Sequence, residues 1–340
     1  MTAPPKPESF PNAWEEQKKK HKKNTYKSLE ESEETPGGPT EQVQIQLQYI
    51  DVDGNRYVAD TSQYSNKQLC CLMCCPCTVG NQCTDERKSR YIGMIKSLTF
   101  WIFIVQFIMF IVSIGVGGFA PPNVNPLLGP CPKGLFVLGG FNPALAIRYY
   151  EIHRFFMPML LHGGIIHFLF NALAELRFGM YVERRTGIWQ TIVLYVLGTY
   201  GGCLLSGLFK SRDDLLLGGG VSVGASSAIL ALMGCHTVEI LIKWNEINPL
   251  ERKSTLAQML FFIVLTLLFS ALPFVDAGAH IGGLFVGVVL SGVFFAEFRH
   301  TRVVCGLFLL GCMIAATCGL VARIDAEYSV PTQAQIDYCG

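Results

Sequence analysis

A serine, two histidines and an asparagine stand in the apolar part of this 340-residue chain at spacings that suit nucleophilic chemistry. Ser226 lies where Gly218-Gly219-Gly220-Val221-Ser222-Val223-Gly224-Ala225 gives way to an apolar run reaching Ile242. At such a junction the backbone N–H groups are free, because the first four N–H groups of a helix lack intrahelical partners. A serine attacks only when a base takes its proton, and neutral imidazole does this near pH 7. His280 is the candidate base. His167 and Asn171 are i and i+4, so on a helix they share a face and can donate together to a developing oxyanion. His162, about 140° around that helix from His167, reads either as a residue at the helix entrance or as a second donor. Taken singly, each has a plainer explanation: a glycine-rich turn entering a membrane helix, or a histidine packed between helices.

The elements that must carry these residues favour the chemical reading. Half of the chain is hydrophobic and 16% is charged, and the mean hydropathy is +0.35. This composition predicts an all-α polytopic membrane protein. Seven apolar runs, at roughly 98–119, 155–176, 188–209, 224–242, 256–273, 277–296 and 303–322, approach the ~20 residues a spanning helix needs. Arg87, Lys88, Arg90, Lys96, Arg184, Arg185, Lys243, Arg252, Lys253, Arg299 and Arg302 fall on one side of these spans. That side is cytosolic by the positive-inside rule, so the N-terminus is cytosolic and the C-terminus luminal or extracellular. Ser226 then opens the fourth span and His280 the sixth, while His162 and His167 lie in the first half of the second. All four sit a little below the outer surface, and intramembrane polar residues gathered at one depth make a site.

Glycines supply the close contact such a site needs. Gly283 and Gly287 follow His280 at i+3 and i+7 on one face of the sixth span, a small-xxx-small pattern. Gly234 lies about 80° around the fourth span from Ser226 and is available to receive them.

Elsewhere the chain divides simply. Residues 1–95 read as a cytosolic tail in which Lys18–Lys23 and Glu30–Glu34 are opposed charge blocks. Residues 43–59 carry an alternating segment, a turn at Asp53-Gly54-Asn55 and a second short run, the pattern of a small β-hairpin. Polar Met1–Trp14 offers no cleavable signal peptide. The juxtamembrane segment 70–83 holds Cys70, Cys71, Cys74, Cys75, Cys77 and Cys83. The first five are candidates for S-palmitoylation, ranked ahead of unmodified thiols and of zinc, because only Cys83 stands apart as a second ligand group would. Neither a metal nor another cofactor is expected. The net charge of +1 gives no reason to invoke nucleic acid.

Taken together, His162-x4-His167-x3-Asn171, Gly224-Ala225-Ser226 with Gly234, and Ala279-His280-Ile281-Gly282-Gly283-x3-Gly287 resemble the rhomboid intramembrane serine proteases. Glu151-x-x-Arg154 and Glu183-x-x-x-Gly187 extend the resemblance, which covers roughly residues 98–322. It implies a catalytic core over 96–300 with a seventh helix and short tail over 301–340, the secretory-pathway or plasma-membrane form. It further implies a Ser226–His280 dyad, oxyanion donors from the Ser226 backbone, His167 and Asn171, and an outer loop lying partly in the bilayer. The chain departs from many relatives at Ser227, where they have glycine, and at His153, where they have tryptophan.

The leading expectation is therefore a protease cutting single-span membrane proteins near the outer face, with the lipid bilayer as its other partner. The alternative is a catalytically silent rhomboid-like protein that binds membrane clients. A transporter would instead need ionisable residues along a path and an internal repeat, and the chain has neither.

Overall fold

The computed structural model describes residues 47–50, 56–59, 93–210, 221–247, 249–271 and 275–327. The chain forms two compact units, Met1–Gln82 and Cys83–Gly340. In the first, β1 (Leu47–Ile50) pairs antiparallel with β2 (Arg56–Ala59), Leu47 opposite Ala59 and Ile50 opposite Arg56. The charge blocks, the turn at Asp53–Asn55, the six clustered cysteines and the glycines Gly218–Gly220 lie outside the described residues.

The described part of the second unit is helical. Its elements are α1 (Leu98–Gly117), α2 (Pro132–Val137), α3 (Pro143–Arg148), α4 (Ile165–Ala174), α5 (Met180–Thr186), α6 (Ile188–Phe209), α7 (Ser226–Ile242), α8 (Pro249–Phe269), α9 (Ala277–Phe295) and α10 (Arg299–Glu327). A π-turn over Glu175–Gly179 joins α4 to α5. Among the described residues six stretches are long and apolar enough to cross a membrane: α1, α4 through α5, α6, α8, α9 and α10. The protein is thus a multi-pass integral membrane protein. The expected fourth span, α7, has 17 residues and a length of about 26 Å, less than the ~30 Å hydrocarbon core.

The core forms around α7. A helix apolar on every side must be surrounded, and Ala228 through Cys235 are all nearly inaccessible. α7 packs chiefly on α9, and α9 on α6. A Cβ added at Gly283 would stand 2.2 Å from the Ser227 carbonyl oxygen, and one at Gly287 2.0 Å from that of Ala231. These two helices therefore touch backbone to backbone. Gly234 is not what receives those glycines: a Cβ there would meet Leu284 Cδ1 at 2.9 Å. α8 is the opposite case: little of its apolar length is buried, whereas more than half of that of α6 is.

The second span also differs from its expected limits. The apolar run begins near 155, yet the helix starts at Ile165 and continues to Thr186. Pro158 lacks an N–H and fixes its own φ, and Ile152–Phe155 and Met157–Leu160 form short 3-10 turns instead. Ile165 and Ile166 donate their N–H groups to the carbonyls of Leu128 and Leu127, so the preceding loop caps α4. That loop comes so close that a Cβ on Gly164 would lie 2.2 Å from the Leu127 oxygen. His162 consequently precedes the helix and does not belong to its first half, so the helical angle between His162 and His167 has no meaning here.

Candidate active site

Ser226 begins α7 and His280 lies in the first turn of α9, so the α7–α9 contact brings them together. Ser226 Oγ is 2.7 Å from His280 Nε2. Ser227 faces the other way: a Cβ on Gly202 of α6 would meet Ser227 Cβ at 2.7 Å and its Oγ at 3.2 Å. The far nitrogen of the ring, His280 Nδ1, lies 2.6 Å from Ser270 Oγ just beyond the end of α8.

Across from this pair stands α4. Gly163 N–H donates to His167 Nδ1 at 3.4 Å, which makes Nδ1 an acceptor and puts the ring proton on Nε2. A Cβ at Gly224 would lie 2.7 Å from His167 Nε2 and 3.5 Å from Asn171 Nδ2. Gly224 has φ +125°, a conformation L side chains rarely adopt, so only glycine fits the approach to Ser226. Asn171 Nδ2 is buried with no hydrogen-bond partner. His162 is fully buried against the rings of His167 and Phe168, and neither of its nitrogens has a partner. It packs behind His167.

A second polar cluster holds the chain leading to the serine. Asp276 caps α9 by accepting from Ala279 N–H at 3.0 Å and accepts from the hydroxyls of Ser206 and Ser222, with Lys210 Nζ at 3.5 Å. Burial pushes the Asp276 carboxyl up, but Lys210, the two hydroxyls and the Ala279 amide together hold it below the usual range. Ser222 in turn exchanges backbone hydrogen bonds with Phe141, tying the loop between α1 and α4 to the segment before α7.

Glu151 and Arg154 act within that loop and do not reach the serine. Arg154 pairs with Glu151, donates to the carbonyls of Phe136 and Gly140 at 2.8 and 2.9 Å, and lies over the Phe136 ring. His153 packs beneath Gly139. Glu183 accepts from Ser97 and Thr99, binding the start of α1 to α5. Among the described residues no three His, Cys, Asp or Glu side chains gather as metal ligands. Ser270 and the Asp276 partners were not singled out by sequence: Ser270 closes an apolar span with no motif around it, while Ser206 lies on α6 and Lys210 just past its end.

The chain matches the Rhomboid domain over residues 149–297. It is 34% identical to RHOMBOID-like protein 1 of Arabidopsis thaliana over 181 residues, 53% of this chain and 44% of that protein. It is 35% identical to RHOMBOID-like protein 6, mitochondrial, of the same plant over 51% of this chain and 53% of the relative. The chain thus spans about half the length of these plant relatives. With Rhomboid-like protease 2 of Toxoplasma gondii it shares 30% identity over 203 residues, 60% of this chain and 67% of that protein. Domain match, relatives and helical architecture agree, and the chain belongs to the rhomboid family.

Proposed function

We propose that the protein is an intramembrane serine protease that cuts single-span membrane proteins within the bilayer, near its outer face. The observation that carries this reading is the 2.7 Å contact between Ser226 Oγ and His280 Nε2. Ser226 Oγ attacks a peptide carbonyl as its proton passes to His280 Nε2. The negative charge on the former carbonyl oxygen is met by His167 Nε2–H, Asn171 Nδ2 and the Ser226 N–H at the head of α7, where a helix's first N–H groups lack intrahelical partners. Collapse breaks the C–N bond, His280 returns the proton to the leaving amine, and water then releases the acyl group by the same route. The shortness of α7 supports a nucleophile recessed below the membrane surface. The positive-inside rule puts the N-terminus in the cytosol and the site toward the outside.

The test is incubation of purified protein in liposomes with a labelled single-span substrate. Wild type should yield two fragments and Ser226→Ala none, while both retain the same helicity. A wild type that holds the substrate intact, indistinguishably from Ser226→Ala, would favour client binding over proteolysis.

A further inference from the structure

We propose that Ser270 is a positioning residue for the general base, fixing His280 in the tautomer that leaves Nε2 bare toward Ser226; this rests on the dyad reading above. Ser270 Oγ is 2.8 Å from the Thr266 carbonyl oxygen and 2.6 Å from His280 Nδ1. A carbonyl can only accept, so the single hydroxyl proton of Ser270 goes to Thr266. The Ser270 oxygen is then an acceptor toward the ring, and Nδ1 must carry the imidazole proton. A neutral imidazole has one N–H, so Nε2 presents a lone pair to the Ser226 hydroxyl 2.7 Å away. The chain of hydrogen bonds has one direction, from Ser226 through His280 and Ser270 to a backbone oxygen.

Two further observations favour Ser270 in this role. Asp276, the nearest carboxylate in sequence, is engaged by Ser206, Ser222, Lys210 and the Ala279 amide, so it is committed away from the ring. His280 is buried at 6% exposure, which leaves bulk water poorly placed to take over at Nδ1. In a Ser-His-Asp triad a carboxylate orients the imidazole and also stabilises its cation; a neutral hydroxyl supplies orientation alone. The expected effect of losing it is therefore far smaller than the loss of the base.

The experiment uses the full chain in liposomes and a fluorophosphonate, which forms a P–O bond with an activated serine as fluoride leaves. Capture rate, kcat, KM and melting temperature are compared for wild type, Ser270→Thr, Ser270→Val and Ser270→Ala. Thr and Val have nearly the same shape, and only Thr keeps the hydroxyl. Val and Ala should lower capture rate and kcat roughly tenfold, the loss of about one hydrogen bond, with KM unchanged. Thr should restore most of the rate, and Val and Thr should melt alike. Val reacting as fast as Thr would overturn the proposal, as would equal losses in both, which would assign the effect to packing. Wild type that neither reacts at Ser226 nor cleaves substrate would overturn the dyad reading and this proposal with it, whereas capture abolished by Ser226→Ala with no Ser270 effect would overturn this proposal alone.

Discussion

Asn171 keeps a buried amide nitrogen without a partner, and a donor left so costs stability unless something is bound there during turnover. Removing one preorganised oxyanion donor costs about 10²–10³ in rate. Asn171→Ala should therefore lower kcat by that order with little change in KM, and His167→Ala by at least as much; steady-state kinetics showing a rise in KM alone would remove both from the transition state. Asp276 gives a pH prediction. Its carboxyl is held below the ordinary range, so its contribution to stability is present above the unfolded value, about 3.9, and is lost as pH falls through the lower folded value. Thermal melts should show Asp276→Asn less stable than wild type at neutral pH, with the gap closing below about pH 4. An unchanged gap down to pH 2 would mean the ion pair with Lys210 contributes nothing. Ser226, His280, His167 and Asn171 were legible because their types and spacing carry chemistry. Ser270 was not, since one serine ending an apolar helix gives no signal until the fold sets it against an imidazole.

At the scale of elements, the contact that sets the Ser226–His280 distance is made by Gly283 and Gly287 against the backbone of Ser227 and Ala231. The glycine pattern of α9 was legible, but the register was not, because Gly234 was the wrong partner and Ser227 and Ala231 carry no mark beyond being small. Overpacking costs typically 1–3 kcal/mol, and a misplacement of about 1 Å can cost 10²-fold in rate. Gly283→Leu should thus lower both melting temperature and turnover. Gly311→Leu on α10 is the control, since nothing lies within 4 Å of a Cβ there. Gly292, further along α9, is a poorer control than its sequence position suggests, because a Cβ would meet Cys305 Sγ at 2.6 Å. A Gly283→Leu protein as stable and active as the control would locate the critical contact elsewhere. The start of the second span was misread for a similar reason: hydropathy continues through Pro158 and Gly163-Gly164, and only their backbone chemistry delays the helix.

For the whole molecule, hydropathy made the multi-pass architecture legible, but not that α7 would be short and enclosed while α8 stays largely exposed. An intact substrate helix hides its carbonyls in its own hydrogen bonds, so attack by Ser226, half-buried at the head of α7, requires a segment that unwinds. Substrates with glycine, proline or polar residues in the outer part of the span should be cleaved faster than the same span filled with leucine, because those residues weaken the helix. Equal cleavage of an all-leucine span, followed on a gel, would contradict this.

The dyad itself is tested most directly by locating a covalent adduct. Wild-type protein treated with a fluorophosphonate, digested and analysed by mass spectrometry should carry the phosphonyl group on the peptide containing Ser226, at that residue, and His280→Ala protein should carry none. An adduct on Ser227, or one formed on Ser226 equally fast in His280→Ala, would contradict the account.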